Sequence, residues 1–289
     1  MRGAKPERAL EEALAERVAA GASDVLLAAV SGGPDSVALA ALLARHAEGR
    51  GARVVLAHVN HGLRSSAGRD EAVVLALGTT LRLRVVTRAL APGAASEARL
   101  RTARYAVLAS IARSVGARRI LTAHHAGDQA ETVLLALFRG TGPAGLAGIA
   151  PVRPMAGGLT LERPLLAVPK ADLIAYCAAR ALPYALDPSN DDTAYRRNAV
   201  RAALAGLRQT FPRLDAAVAR CAALVRDEEA GNPRALLRRT LREEVEGAAG
   251  DLRDVTFERI EAVARAVERR RPGRHHLRPG VEVTLRRTP

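Results

Sequence analysis

The chain has 289 residues, 48% hydrophobic and 26% charged, enough for one large α/β domain plus a smaller unit and typical of a soluble globular protein. A net charge of +14 favours a polyanionic partner such as nucleic acid, unless the arginines merely solvate helix faces. Two cysteines without a CxxC pair, no basic-then-apolar leader and no apolar run of about 18 residues argue against a disulfide framework, a cysteine-held zinc or iron–sulfur site and a membrane span, so a cytoplasmic protein is expected.

Helical periodicity opens the chain over Glu7 to Ala20, and the run DVLLAAV (Asp24 to Val30) then reads as a buried strand ending at SGG. Similar runs follow at Arg53 to Val59, Leu83 to Leu90 and Arg118 to Ala123, with helical segments between them. Strands alternating with helices predict an α/β fold, an open parallel sheet with helices on both faces, and 2% aromatic content makes its core aliphatic. A Pro/Gly-rich stretch from Gly140 to Pro154 interrupts the pattern, and Leu159 to Leu166 reads as one more strand. The expected domains are 1–195, catalytic, and 196–289, a small helical, arginine-rich appendage broken at Phe211-Pro212, Gly231 to Pro233 and Gly247 to Gly250. The VEVTL segment near the end reads as an edge strand or a tail.

Open sheets of this kind bind ligands past the carboxyl ends of their strands, which here carry SGGPDS, NHGLR and HHAGD. Ser31, Gly32, Gly33, Pro34, Asp35 and Ser36 follow a strand and open a helix, so backbone and hydroxyl donors can wrap a phosphate at the helix N-terminus. An aspartate in such a loop repels the ligand unless a divalent cation intervenes, which points to magnesium. The bland alternative is a glycine turn whose Asp35 and Ser36 satisfy early helix amides. No Walker A sequence is present, and the GxGxxG match at Gly140 to Gly145 follows a helical run, so Gly140 reads as a helix stop.

The loop resembles the pyrophosphate loop of the N-type ATP pyrophosphatases. Further segments narrow the likeness: AHVNHGLR (Ala57 to Arg64), LRTARY (Leu100 to Tyr105), AHHAGDQAET (Ala123 to Thr132), RGTGPAGLAGI (Arg139 to Ile149), ERPLL (Glu162 to Leu166), Lys170 and DPSNDDTAYRRNAVR (Asp187 to Arg201). In order and spacing these are similar to the tRNA(Ile)-lysidine synthetases of bacteria. That resemblance implies an adenine nucleotide alpha hydrolase-like fold and an ATP-dependent ligase. ATP adenylates the C2 oxygen of the wobble cytidine of tRNA(Ile) with a CAU anticodon, and free L-lysine displaces AMP to leave lysidine, read with AUA.

The resemblance implies roles for particular residues. Asp35, His124, His125, Asp128 and Arg104 are the catalytic candidates, and Asp35 and Asp128 the magnesium ligands. The loop residues, His58, Arg64, Arg101 and Arg139 would hold ATP, with His61 beside His58 after the same strand. Glu131, Lys170, Asp187, Ser189, Asn190, Arg197, Asn198 and Arg201 would hold lysine or RNA, and the arginines from Arg208 to Arg287 would track tRNA phosphates. The chain carries Gly127-Asp128 where two adjacent aspartates are expected, and Glu131, one turn on, is the candidate replacement. Other readings stay open: a tRNA-base thiolase, disfavoured by the missing CxxC, a catalytically impaired nucleotide- and RNA-binding member, or a basic α/β protein with another phosphate ligand. A homodimer is also left open.

Overall fold

The computed structural model describes residues 4–60, 67–90, 97–185, 196–249 and 255–285. Its framework is a six-stranded sheet in the order β3-β2-β1-β4-β6-β5, made of β1 (Val25–Ala29), β2 (Arg53–Asn60), β3 (Arg84–Ala89), β4 (Arg119–Leu121), β5 (Val152–Met155) and β6 (Leu159–Glu162). The first five positions run parallel and β5 closes the edge antiparallel to β6. The parallel open sheet expected from the apolar runs is therefore present.

Residues of β1 alternate between two cores, as strand periodicity requires. Leu26 and Ala28 pack with α1 (Ala4–Ala15), α2 (Pro34–Ala47), α3 (Ala67–Leu81) and α7 (Lys170–Ala179). Val25 and Leu27 face the other way, with α4 (Glu97–Ser114) supplying Tyr105, Leu108, Ile111 and Ala112. Burial on both faces explains why β1 and β2 read as continuous apolar runs rather than alternating ones. Each face buries one large aromatic, Tyr176 or Tyr105, in a mainly aliphatic core, with Tyr184 packed against the first.

Within the six-stranded sheet, two strands depart from the sequence reading. β6 stops at Glu162, because Arg163-Pro164 follows and proline cannot donate to the ladder. β5 lies inside the stretch read as a Pro/Gly-rich interruption, and as an edge strand it accommodates Pro154. α5 (Ala126–Phe138) ends as expected at Gly140, whose φ of +66° and Gly140 N–H to Leu137 carbonyl bond stop the helix.

The chain divides into two compact units, residues 1–141 with 148–220 and residues 142–147 with 221–289. The first contains the sheet and α8 (Arg196–Thr210), which packs on α5. The second contains the short α6 (Pro143–Leu146), and α9 (Leu214–Glu229) runs across the boundary. Its core forms where α10 (Pro233–Ala249), α11 (Phe257–Glu268), β7 (Gly273–Arg278) and β8 (Val281–Leu285) enclose Leu241, Val245, Ile260, Val263 and Leu277. The VEVTL segment is β8, paired antiparallel with β7.

Cys177 of α7 is fully buried, and its thiol donates to the Pro34 carbonyl at 3.3 Å beneath the start of α2. Burial, with Asp35 nearby, pushes that thiol up to about 12. Cys221 is exposed. Maleimide labelling of native protein, followed by peptide mapping, is expected at Cys221 alone, with Cys177 reacting only in denaturant; equal native rates would mean that the α7–α2 contact opens.

Candidate active site

Strand order reverses at β1, which has β2 on one side and β4 on the other, and such a switch point leaves a crevice beyond the strand ends. The loops after β1 and β4 border it. After β1, Gly32 takes φ +95°, and a Cβ there would come within 3.2 Å of the Asp70 carbonyl, so both conformation and space call for glycine. Ser36 Oγ donates to the Gly33 carbonyl at 2.9 Å and accepts the Ser31 amide at 3.1 Å. Its one proton is thereby used, so in the Ser31–Ser36 hydroxyl contact at 3.2 Å Ser31 is the donor. With Gly33 as N-cap and Pro34 at the first helical position, α2 begins without a side-chain cap, leaving its amide end to an anion.

Asp35 sits in that first turn with charged and polar neighbours across the crevice. Its Oδ2 lies 3.6 Å from His125 Nε2 and 3.8 Å from Lys170 Nζ. Its Oδ1 is buried without a hydrogen-bond partner. Burial raises the Asp35 carboxyl above its usual range, against the opposing pull of His125 and Lys170.

After β4, His125 caps α5. Its backbone N–H donates to Asp128 Oδ2 at 3.0 Å, and its Nδ1 accepts the Gly127 N–H at 3.0 Å. With Nδ1 used as an acceptor, the ring proton resides on Nε2, which faces Asp35 on one side and Asp128 Oδ2, 3.7 Å away, on the other. A Cβ on residue 127 would fall 2.8 Å from His125 Cε1 and 3.0 Å from Nδ1, so only glycine lets the ring lie over the first turn. Arg197 reaches Asp128 Oδ1 at 3.0 Å and Glu131 at 2.7 Å, while Arg201 binds Glu131 at 2.8 Å and Asn198 at 3.2 Å. Both oxygens of the buried Glu131 are thus held by α8. Burial pushes the Asp128 carboxyl up, but His125, His124 and Arg197 together hold it below the usual range.

The remaining candidates are placed as follows. His58 is buried, and because a carbonyl only accepts, its Nδ1–H donates to Val30 at 2.9 Å and pins the root of the glycine loop. Arg101 and Arg104 stand beside Tyr105 on α4. Arg139 caps the far end of α5, about 16 Å along the helix from Asp128 at about 1.5 Å per residue. His61, Arg64, Asp187, Ser189 and Asn190 lie outside the described residues. Sequence reasoning missed Thr122, whose Oγ1 bonds His124 Nδ1 at 2.9 Å, and the buried Arg163. Arg163 stands just past β6, so the strand-end rule that found the histidines would have found it.

Magnesium fits this arrangement. It commonly takes one or two carboxylates and completes its shell with phosphate oxygens and water. Asp35 Oδ1 is an acceptor awaiting a partner, Asp128 is close by, and no cluster of three or more metal-ligating side chains occurs among the described residues to suggest a different ion.

Burial pushes the His124 imidazole down to about 3 from 6.5, helped by Arg163, Arg101 and Arg104 and opposed by Asp128. Since its folded pKa is depressed, His124 contributes stability above about 6.5 that is lost as pH falls toward 3. The thermal midpoint is expected to fall between about pH 7.5 and pH 5, and His124→Gln to flatten that fall. An unchanged pH dependence in the variant would remove His124 as its source.

Comparisons with known proteins bear on the family and the fold. The PP-loop domain family matches residues 5–207. The tRNA(Ile)-lysidine synthase of Methylobacterium sp. (strain 4-46) is 46% identical over 225 residues, 73% of this chain and 61% of that one. The tRNA(Ile)-lysidine synthase of Geobacter sulfurreducens is 37% identical over 301 residues, 90% of this chain and 63% of that one. The chain thus spans less than two thirds of the length of the curated relatives it matches. A solved U34-tRNA thiolase from Methanococcus maripaludis, with its 4Fe-4S cluster, shares the fold at a TM-score of 0.64 and 13% identity, over 75% of this chain and 77% of that one. A glycine loop at the switch point of a parallel sheet and a family match spanning both strand-end motifs lead to one conclusion: the chain belongs to the PP-loop domain family and resembles its tRNA(Ile)-lysidine synthases.

Proposed function

We propose that this chain is a cytoplasmic, ATP-dependent ligase that converts the wobble cytidine of tRNA(Ile) with a CAU anticodon to lysidine. The observation that carries this reading is the pairing of an uncapped α2 amide end with the buried, unpartnered Asp35 Oδ1, opposite His125 and Asp128. In the first step the cytidine O2 bonds to the α-phosphorus of ATP and the bond to the β-phosphate oxygen breaks, releasing pyrophosphate. In the second the ε-amine of free L-lysine bonds to C2, the C2–O bond breaks, AMP leaves and the amine gives up a proton.

The loop from Ser31 to Ser36 binds the triphosphate through amides and hydroxyls. Asp35 and Asp128 would hold magnesium, which supplies charge neutralisation for the phosphates. Arg101 and Arg104 offset the negative charge that develops on the leaving pyrophosphate. Lys170, close to Asp35, balances that carboxylate until the nucleotide arrives. Of the two histidines, His125 is assigned to orient the two carboxylates through Nε2–H, and His124, held neutral, to donate or accept a hydrogen bond rather than to carry a proton. Arg197 and Arg201 fix Asp128 and Glu131, the acids assigned here to receive the amine, and the arginine-rich segment 196–289 is assigned to the tRNA backbone. A sulfur-transfer reading is less well supported, because Cys177 is buried, with its thiol raised and bonded to Pro34.

An assay with ATP, magnesium, radiolabelled lysine and a CAU transcript of tRNA(Ile) is expected to label RNA only when ATP is present. Asp35→Asn should reduce the rate by about two orders of magnitude or more while the fold persists. Label from cysteine sulfur, or none from lysine, defeats the reading. Gly127→Asp separates catalyst from impaired binder. Its Cβ displaces the His125 cap, so stability should fall by about 1 kcal/mol and activity with it. Activity that appears only in this variant would mark the natural chain as a binding protein.

A further inference from the structure

Four arginines converge on one tyrosine of the α4-covered face, with no acid among them in the described residues. The guanidinium carbons of Arg101, Arg104 and Arg153 lie 5.7, 5.3 and 5.2 Å from the centroid of the Tyr105 ring. Arg163, only 3% exposed, follows β6 and donates through Nη1 to the Ala150 carbonyl at 2.6 Å. Its Nε is buried without an acceptor, and its guanidinium and the Tyr105 hydroxyl stand within hydrogen-bonding reach of each other.

Elsewhere, among the described residues, the partly buried Arg119 and the buried Arg238 each have a carboxylate. Arg119 holds Glu162 at 2.7 Å, and Arg238 holds Glu261 at 3.0 Å and Asp227 at 2.9 Å. None of Arg101, Arg104, Arg153 and Arg163 forms an ion pair with a carboxylate among the described residues. A guanidinium taken out of water without a counter-charge is unfavourable, and like charges beside it make it more so. Burial, with Arg153 and Arg101 adding to it, weakens Arg163's hold on its own proton. Burial also works against ionisation of Tyr105, yet Arg101, Arg104 and Arg163 more than reverse that and draw its hydroxyl below the usual range. Positive potential is concentrated here, and the buried Arg163 Nε awaits an acceptor. The same Arg163, Arg101 and Arg104 act on His124, which places the cluster beside the crevice rather than on a remote surface.

We propose that Arg153 and Arg163 join Arg101 and Arg104 around Tyr105 in a binding site for a phosphate oxyanion, with Arg163 Nε as its buried donor. Forked guanidiniums match the paired oxygens of a phosphate better than a point charge does. That phosphate belongs either to the RNA strand or to the nucleotide. The assignment rests on the RNA- and ATP-handling reading above but not on which base product is formed.

Arg153→Met, Arg163→Met and Tyr105→Phe are compared with wild type in two binding measurements that need no turnover: tRNA transcript affinity against salt, and ATP affinity by calorimetry. For a strand phosphate, each arginine variant is expected to lower the slope of log affinity against log salt by about 0.9, the value for one phosphate no longer neutralised, with ATP affinity unchanged. For a nucleotide phosphate, ATP affinity should fall about tenfold, as for one charged hydrogen bond, with the salt slope unchanged. Either pattern supports the oxyanion site, even if lysine incorporation fails. Without ligand, Arg163→Met is expected to melt no lower than wild type, because it removes a buried charge that lacks a counter-ion. Should it fail to fold, Arg153→Met, an exposed position on β5, and Tyr105→Phe carry the test. Unchanged salt slope and ATP affinity in Arg153→Met, or a wild type that binds neither RNA nor ATP, overturns the assignment. So does an Arg163→Met variant that melts lower with both affinities intact.

Discussion

The site depends on an alternation of charged and hydrogen-bonding groups that begins at one buried carboxylate. Asp35 faces His125, His125 faces Asp128, Arg197 joins Asp128 to Glu131, and Arg201 closes on Glu131. Each carboxylate along the series is balanced by its neighbours except at the first position, where Asp35 Oδ1 is left without a partner. Two helices also begin here, α2 at Pro34 and α5 at Ala126, so two positive dipole ends meet the two aspartates of their first turns. α5 is capped by His125 and α2 by no side chain, which directs an incoming anion to the glycine loop.

The alternation also explains why α8 belongs to the site although it lies far along the chain. Arg197 bonds both Asp128 and Glu131, and Arg201, one turn on, holds the second of them. Losing either guanidinium would leave a buried acid short of its counter-charge, which costs far more than the loss of an exposed pair. The segment that leads into the second unit is thereby tied to the acids of the crevice.

Much of the sheet was legible because its strands are buried on both sides. Continuous aliphatic runs mark β1 to β4, and the strand-end rule located the glycine loop and both histidines. β5 was hidden because Val152-Arg153-Pro154-Met155 is an exposed edge strand with a proline, a composition shared with loops. β7 was hidden for a related reason: apart from Leu277, Gly273 to Arg278 offers no apolar residue, and it is paired by β8 alone. Side-chain direction was less legible than position. His58 lies near the end of β2 and His124 just past β4, but the His58 ring turns inward to the Val30 carbonyl. The missing aspartate at Gly127 reads in sequence as a lost ligand, whereas in three dimensions its lack of a Cβ makes room for the His125 ring.

Arginine content posed the hardest problem, because 44 basic residues and a charge of +14 cannot by themselves distinguish a solvated face from a site. Pairing supplies the distinction. Arg45 and Arg180 tie α2 and α7 to Glu7 and Glu11 of α1, Arg208 holds Asp215, and Arg234 holds Glu268. Many of the acids are therefore engaged in joining elements inside each unit, and the excess of positive charge falls on arginines beyond those pairs. A field made by such residues acts outward, at a range set by ionic strength, and draws a polyanion from solution without selecting its sequence. Selection must then come from the crevice, where groups are few, buried and fixed by their neighbours. Sequence composition reports the first effect and is nearly silent on the second, since one buried arginine without an acid counts in a composition the same as one solvated at a helix end.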